Sequence, residues 1–343
     1  MSFRRLAIVP LITLGTFVVP AATDAQSASA TPRTEWGAPD LRGVWNNSTL
    51  TPFQRPAALA DQEFLTTEEA AAIEQRTANR NQELAERTAL RTAADPNGSV
   101  DRGVDGAPGS YNNFWMERGT TVVSTRRTSV IVDPPTGRFP SLTPDTQAWL
   151  DSAEANRLAD VRGGRLPTDT YAQLDLGDRC IWYRGVPSFP TAYNNNYQIF
   201  QTPDFVAILQ EHIHDVRFIP LDGRPNIPDS VRQYAGDSRG RWEGDTLIVE
   251  TTHFNEHAFI RNFNSQLSTS LHVIERFTPL ADNTLDYEFT VTDPETWTRP
   301  WSGSLPFTPS DGPMFEYACH EGNYGLTNML AGSRMQERAN QGQ

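Results

Sequence analysis

Lysine is absent from this sequence, and all 29 basic residues are arginine. A Schiff-base nucleophile needs a lysine amine, which excludes pyridoxal phosphate chemistry and lysine aldolases. The phosphate loop of Walker-type nucleotide hydrolases needs Gly-Lys-Ser/Thr, so that class is excluded as well. The chain also lacks a Gly-x-Ser-x-Gly elbow, a dinucleotide-binding glycine fingerprint and a Cys-x-x-Cys-His haem attachment. We therefore expect no cofactor.

Positive charge is scarce. The 29 basic residues face 42 acidic ones, which gives a net charge of -13. A nucleic-acid binder needs a basic footprint to neutralise phosphates, and an anionic membrane surface makes the same demand. With 38% hydrophobic and 10% aromatic residues, the chain is too polar to cross a membrane repeatedly and too aromatic to be disordered. The composition predicts a folded protein that binds neither nucleic acid nor an anionic membrane surface.

Long apolar runs are also lacking. The longest, at 6–19, falls short of the ~20 residues that span a bilayer. It follows Arg4 and Arg5 and precedes a small-residue site ending at Ala25, a pattern typical of a secretory signal peptide over 1–25. Residues 26–35 read as a disordered spacer. We expect a periplasmic or secreted protein that is not membrane-bound after cleavage.

Cysteine occurs only twice, as Cys180 and Cys319. An even pair in an oxidising compartment is typical of a structural disulfide. Cys319 precedes His320, which leaves a Cys-His nucleophile as an alternative, although a disulfide would consume the thiol.

The N-terminal section, 36–114, combines helix and loop. Residues 39–45 read as a turn that feeds a short strand. A capping box at 66–69 (TTEE) predicts a solvated helix from 70 to about 92, because the following residues lack Pro and Gly. The stretch 93–113 is rich in Gly, Asp, Asn and Pro, which indicates a long loop.

Residues 115–338 read as mainly β. A short helix is expected from Pro144 to about 158, and a C-terminal helix from 323 to about 338. The other segments alternate apolar and polar residues between tight turns, which predicts an antiparallel meander forming a lipocalin-like barrel. The expected strands lie at 120–133, 197–201, 205–219, 241–250 with a turn at 243–245, 271–279, 284–292, 301–307 and 314–318.

All six histidines lie at or beyond residue 212, and two of them fall in the run EHIHDVR at 211–217. On a strand, His212 and His214 share one face while Asp215 and Arg217 share the other. The His-x-His spacing suits two metal ligands, as in cupins, but the glutamate that cupins place a few residues later is lacking. A polar strand at a rim and acid-base chemistry are the alternatives, and we assign no metal ligands.

A second ionisable segment is LHVIERF at 271–277. If its apolar face points inward, Glu275 is buried and must be paired or shifted in pKa. If the other face points inward, His272 and Arg276 are buried. Either register places an ionisable group inside, as a structural ion pair or as a group for proton transfer.

The third segment is EYACHEGNYG at 316–325. Cys319 would hold His320 and Glu321 at a rigid turn, either for acid-base work or as helix-capping residues. Aromatic and amide side chains such as Tyr193, Asn195 and Tyr317 can line a site for sugars or aromatic compounds, and they also occur in ordinary loop packing.

Several motifs together resemble a large uncharacterised family of exported bacterial proteins. The resemblance covers roughly 36–335 and implies no activity, although its pattern includes His214, His272 and His320. The WEGDTL hairpin is also loosely similar to lipocalin-like (calycin) barrels, which implies a cavity by analogy only. The motifs are IHD at 213–215, IPLDGRP at 219–225, GDSRG at 236–240, WEGDTL at 242–247, LH and ERFT between 271 and 278, and 316–325.

These features predict a cofactor-free lyase, hydratase or isomerase that acts by general acid-base catalysis on a small neutral or aromatic molecule, such as a glycoside or a phenolic. The alternatives are a periplasmic small-molecule-binding protein without catalysis, and a metal-dependent hydrolase or oxygenase that uses the clustered histidines. The expected catalytic residues are His214, His272, His320, Glu275 and Glu321; the expected substrate-binding residues are Arg217, Arg276, Tyr193, Asn195 and Tyr317.

Overall fold

A computed structural model describes residues 31–86, 116–162 and 170–341, apart from 118, 184, 259, 261–262, 264–266 and 282. The predicted signal peptide, half of the predicted spacer (26–30) and the predicted loop at 93–113 lie outside these residues. The helices are α1 (Thr67–Glu86), α2 (Pro144–Arg162) and α3 (Tyr324–Gln341). The strands are β1 (Gly43–Asn46), β2 (Ile131–Asp133), β3 (Asn196–Gln201), β4 (Phe205–Gln210), β5 (Val216–Pro220), β6 (Asp237–Glu243), β7 (Thr246–Thr252), β8 (His272–Pro279), β9 (Leu285–Thr292), β10 (Trp301–Ser304) and β11 (Thr308–Pro309).

The predicted mainly β, antiparallel fold is confirmed. The described strands form two sheets: sheet I has the order β11-β1-β3-β4-β5, and sheet II has the order β2-β10-β9-β8-β7-β6. No closed barrel is detected among them. The chain passes from sheet II to sheet I after β10, where Leu305 N and Phe307 N still donate to carbonyls of Tyr287 and Leu285 on β9.

One apolar core lies between the two sheets. It contains Tyr197 and Ile199 from sheet I and Val273 and Phe289 from sheet II. Phe307 connects the halves, because its ring centroid is 5.4 Å from that of Tyr197 and 5.0 Å from that of Tyr287. The alternation of β8 decides which side chains enter this core, since its residues are buried at every second position.

Local sequence signals account for several elements. The capping box is present at the start of α1, where Glu69 N donates to Thr66 Oγ1 and Thr66 N donates to Glu69 Oε2. The predicted turn between β6 and β7 contains Gly244 at φ 62°, a left-handed conformation that favours glycine. β1 and the C-terminal helix α3 also lie where the sequence predicts them.

Three strand predictions are wrong. Only Ile131–Asp133 of the 120–133 segment is a strand, because much of the rest bonds singly to loops; for example, Thr121 O accepts from Leu50 N. Residues 314–318 form no strand, and the short β11 lies before them. The predicted strand 205–219 is interrupted by a 3-10 turn at His212–His214.

Candidate functional site

The connection between β4 and β5 is a strained turn at 211–215, which we call the 211–215 turn. Ile213 and His214 have φ angles of 64° and 48°, in the left-handed region that β-branched and bulky residues rarely adopt. Such conformations cost about 1–3 kcal/mol each and persist only where the surrounding structure enforces them. Because the segment is a turn, His212 and His214 do not share one face of a strand as predicted.

The predicted disulfide is confirmed, and it carries the C-terminal segment to this turn. Cys180 and Cys319 are bonded, with their Cα atoms 5.8 Å apart. Two residues before Cys319, the carbonyl oxygen of Tyr317 lies 3.1 Å from His214 Nδ1. A carbonyl can only accept a hydrogen bond, so Nδ1 carries the proton in neutral His214 and Nε2 keeps its lone pair. The disulfide thus helps to set the tautomer of an exposed imidazole.

Three tyrosines surround His212, and we call these rings the tyrosine cluster. The His212 ring centroid is 4.1 Å from that of Tyr183, 4.6 Å from that of Tyr317 and 5.5 Å from that of Tyr193, with all rings nearly parallel. His212 itself is buried. Tyr183 and Tyr317 come from the two segments that the disulfide joins, so the bond also positions the cluster.

Asp215 ends the 211–215 turn with a half-buried carboxyl. Its backbone carbonyl accepts from Gln210 N at 3.0 Å, which fixes it opposite Gln210. Desolvation raises the pKa of Asp215 to about 6, although the charge of His214 and the nearby amide of Gln210 oppose the shift. Nevertheless, Asp215 Oδ2 and Gln210 Nε2 are both buried and make no hydrogen bond within the part of the chain that the structure describes. This carboxyl can therefore hold or release a proton near neutral pH.

Strand register places further polar side chains on the inner face of sheet I. Tyr197 is paired with Gln210, and Arg217 is paired with Ile208 two residues before Gln210. Directly paired residues point to the same face, as do residues two apart, so Tyr197, Gln210 and Arg217 all point inward. Tyr197 OH and Arg217 Nη2 are also buried, and neither atom makes a hydrogen bond to another described residue. We call Tyr197, Gln210, Asp215 and Arg217 the interior polar set.

Sheet II supplies the counter-charge for this set. Arg217 Nη1 donates to Glu275 Oε2 at 2.7 Å, and Tyr287 OH donates to Glu275 Oε1 at 2.7 Å. Ser188 N in turn donates to Tyr287 OH at 2.9 Å. Burial alone would lower the pKa of Arg217, but the carboxylate of Glu275 outweighs it and the pKa is raised. Arg217 therefore stays charged in the core, where its hydrogen bond to Glu275 helps to offset the loss of hydration.

Several of the predicted site residues lie near one another. His214, Tyr193 and Tyr317 lie at the 211–215 turn. Arg217 and Glu275 form an ion pair in the core. Asn195 is buried nearby, where its side chain donates to the carbonyls of Glu117 and Thr191 at 2.7 and 3.0 Å.

His320 and Glu321 are exposed in the turn before α3. The side chain that caps this helix is Asn323, whose Oδ1 accepts from Leu326 N at 3.1 Å.

His272 and Arg276 are not brought to the 211–215 turn. The apolar face of β8 is the inward one, so Glu275 is buried and these two residues lie on the opposite face. His272 Nε2 is 2.8 Å from Glu250 Oε1, and this pair is partly exposed.

A separate open cleft of about 230 Å³ lies beside β7 and β8, with His272 in its lining. There His253 Nδ1 is 2.7 Å from Thr252 Oγ1, and His253 Nε2 is 3.0 Å from Asp229 Oδ1. The Asp229 side chain is 97% exposed, so water competes for this pair. The cleft is a weaker candidate for the functional site than the 211–215 turn, because both ring nitrogens of His253 already have hydrogen-bond partners.

Two other properties bear on chemistry. Across the described residues, no three His, Cys, Asp or Glu side chains are grouped so as to hold a metal ion. None of the helices in that part of the chain combines the length and apolar character needed to cross a membrane.

No protein-family model matches the chain, and no curated protein is similar enough in sequence to count as a relative. The resemblance to uncharacterised exported proteins therefore remains a prediction.

The sequence analysis did not identify Asp215, Tyr197, Gln210, Tyr183 or the stacking of His212 as functional. One signal for Gln210 was present: it ends the apolar run at 205–209, where a polar residue on the inward face is unusual. Asp215 was named only as a member of the polar run at 211–217, because its burial depends on the strained backbone before it.

Proposed function

We propose that the protein is an enzyme that transfers protons on a small neutral or aromatic molecule by general acid-base catalysis, in the lyase, hydratase or isomerase class. The observation that carries this proposal is the half-buried carboxyl of Asp215 at the end of a strained turn, where, among the described residues, only the side-chain amide of Gln210 lies near its buried oxygen. Backbone strain and an unsatisfied buried group both add free energy to the folded state, and such features are typical of sites of chemistry.

The roles of the side chains differ from those expected from the sequence. In this proposal Asp215 gives or takes the proton, and His214 Nε2 is a second proton acceptor at the exposed side. Arg217 keeps its expected role of stabilising developing negative charge, through the Nη2 atom that Glu275 does not use. His272, His320 and Glu321 have no role in this site, and Glu275 orients Arg217.

The wider setting is part of the proposal. We propose that the enzyme is exported and needs no cofactor. The disulfide supports export, because disulfides persist in an oxidising compartment. The lipocalin-like barrel is also proposed, as a finer description of the two sheets. Close packing of their edges supports it: a Cβ added to Gly240 on β6 would lie 2.8 Å from Ile219 Cγ2 on β5.

The test compares two variants that change the same functional group. Asp215→Asn removes the proposed acid-base group, and Asp286→Asn removes a second half-buried aspartate whose pKa burial also raises, on β9. Wild type and variants are incubated in D2O with neutral phenols, aryl ketones and aryl glycosides, and product formation and C–H exchange are followed by NMR. We expect Asp215→Asn to slow the reaction by about 10²-fold or more, with Asp286→Asn unchanged.

The pH profile provides a second readout. The wild-type rate should show a limb near pH 6 that Asp215→Asn lacks, because the protonation of Asp215 changes there. Equal rates in wild type and Asp215→Asn would refute the catalytic role of this carboxyl.

A binding protein without catalysis is the second candidate, and the tyrosine cluster favours it, because partly exposed aromatic rings suit ligand stacking. In that case a compound from the panel would bind to wild type and Asp215→Asn alike, with no product and no exchange. The panel therefore separates the two functions.

A further inference from the structure

The open cleft beside β7 and β8 contains a chain of three side chains that the proposed function does not use. His253 Nε2 lies 3.0 Å from Asp229 Oδ1, and His253 Nδ1 lies 2.7 Å from Thr252 Oγ1. All three residues line the same cavity of about 230 Å³. Because both ring nitrogens are occupied, the imidazole can act on a ligand only through the threonine hydroxyl.

The direction of these two hydrogen bonds follows from the chemistry of the groups at their ends. A carboxylate only accepts, so Nε2 of neutral His253 carries the ring proton and donates it to Asp229. Nδ1 then keeps its lone pair and accepts a hydrogen bond from the Thr252 hydroxyl. The same order of hydroxyl, imidazole and carboxylate activates the serine of acyl-transfer enzymes, where the two ring nitrogens have the opposite partners.

The backbone fixes the imidazole and the hydroxyl relative to each other. His253 has a φ of 58°, in the left-handed region that a bulky residue keeps only where the surrounding structure enforces it. Its carbonyl accepts from Gln233 N at 2.9 Å, and Thr252 is held in register with Asp237 at the end of β7. Only 12% of the His253 side chain is exposed. A positioned general base beside a hydroxyl is what nucleophilic catalysis needs.

The rest of the lining suits a small ester. Arg232 lies in the cleft wall, where its Nη1 atom donates to the carbonyls of Phe254 at 3.3 Å and Thr269 at 2.9 Å. A positive charge held there stabilises a negative charge that develops on a carbonyl oxygen. Leu271 is buried and gives the lining an apolar part. The volume is below the roughly 300–1,000 Å³ of pockets for drug-sized ligands, which favours a short acyl group such as acetyl.

We propose that Thr252 is a nucleophile for acyl transfer and that this cleft hydrolyses esters of short acyl groups. His253 is the general base, and Asp229 holds the ring in the required tautomer and stabilises the imidazolium. This second activity goes beyond proton transfer at the 211–215 turn and uses none of the residues of that turn.

The reaction balances with water as the only co-reactant. Thr252 Oγ1 attacks the ester carbonyl carbon while its proton passes to His253 Nδ1, and the carbonyl π pair moves onto oxygen. When that pair returns, the bond to the alcohol oxygen breaks and the leaving alcohol takes the proton from Nδ1. Water then attacks the acyl-threonine with the same base, which releases the carboxylic acid and restores the threonine hydroxyl.

The experiment follows the hydrolysis of p-nitrophenyl acetate by the full chain, through the absorbance of p-nitrophenolate. Thr252→Val removes the proposed nucleophile, and Thr252→Ser keeps a hydroxyl at the same place. The control is Thr278→Val, which removes the hydroxyl of another partly buried threonine, bonded to Thr246 Oγ1 at 2.8 Å and not to an imidazole. We expect Thr252→Val to slow hydrolysis by about 10²-fold or more. Thr252→Ser should retain the activity, and Thr278→Val should leave it unchanged.

A measurement on the wild type alone makes the test independent of how the variants fold. Protein quenched with acid during turnover is digested and analysed by mass spectrometry, and we expect one acetyl group on Thr252. Four results would overturn the proposal: no hydrolysis by wild type above the buffer rate, equal rates in wild type and Thr252→Val, loss of activity in Thr252→Ser, or acetyl groups only on other residues.

Discussion

Asp215 combines partial burial with an unbonded oxygen, and its protonation should affect the stability of the fold. The folded protein keeps this proton up to about pH 6, whereas an unperturbed aspartate releases it near 3.8. Between these values the folded state binds more protons than the unfolded chain, so the free energy of unfolding falls as pH rises. A proposed acid-base residue therefore reduces stability at neutral pH.

We expect Asp215→Asn to gain stability relative to wild type as pH rises from 4 to 7. The gain is on the order of 1–2 kcal/mol, less than the full shift implies, because the carboxyl is partly solvated. Urea unfolding at each pH measures it. Asp222→Asn is the control, because Arg224 lowers the pKa of this exposed carboxyl to about 2. Asp222 should therefore change the stability mainly below pH 4, outside the range of the measurement. A constant difference between Asp215→Asn and wild type would contradict the shifted pKa.

At the scale of elements, the disulfide joins the loop before β3 to the segment before α3. Cys180 and Cys319 are separated by 139 residues, so the bond strongly restricts the unfolded chain. The same bond positions Tyr183 and Tyr317 against His212. Stability and site geometry therefore depend on one covalent link.

Replacing both cysteines with serine should lower the free energy of unfolding by about 4 kcal/mol. The near-ultraviolet circular dichroism of the tyrosine cluster should weaken too, since its two segments are no longer tied. Urea unfolding should give the same free energy for the double variant and for reduced wild type, because the chain contains no other cysteine. A loss below about 1 kcal/mol would show that noncovalent contacts alone hold the segments.

At the scale of the whole molecule, both sheets contribute to one core. Buried side chains of β3 and β4 pack in the same cluster as those of β7, β8 and β9. The Arg217–Glu275 ion pair also crosses from sheet I to sheet II. Neither sheet can lose its inner face without exposing that of the other.

We therefore expect the described region to unfold in a single transition while the disulfide is intact. Scanning calorimetry should give equal calorimetric and van't Hoff enthalpies, the test of a two-state process. Hydrogen exchange should give similar opening free energies for β4 and β8. Two separate transitions, or much lower protection in one strand, would contradict a shared core.

Much of the fold was predictable because its signals are local. The alternation at 271–277 predicted a strand, and the capping box at 66–69 predicted the start of a helix. The predictions that failed concern segments whose local sequence does not distinguish a strand from a loop. Residues 120–130 are rich in β-branched residues, yet several of their backbone groups bond to loops distant in sequence.

The candidate site was only partly predictable. Glu275 followed from the sequence as a buried group in one of two registers, and the disulfide followed from the parity of the cysteines. The interior polar set did not, because Tyr197 and Gln210 become neighbours only through the pairing of β3 with β4. The 211–215 turn was misread as strand because a left-handed isoleucine has no composition signal.

The sequence by itself determined the absence of lysine chemistry, the acidic charge, the even number of cysteines and the alternation of the longer strands, all of which depend on residue identity and local order. Tertiary structure decided which face of each strand points inward, and so placed Glu275 in the core and His272 outside it. It also decided that Asp215 lies opposite Gln210 and that Tyr317 reaches His214. The physical reason is that burial and hydrogen bonding between distant segments are settled only when the two sheets pack together.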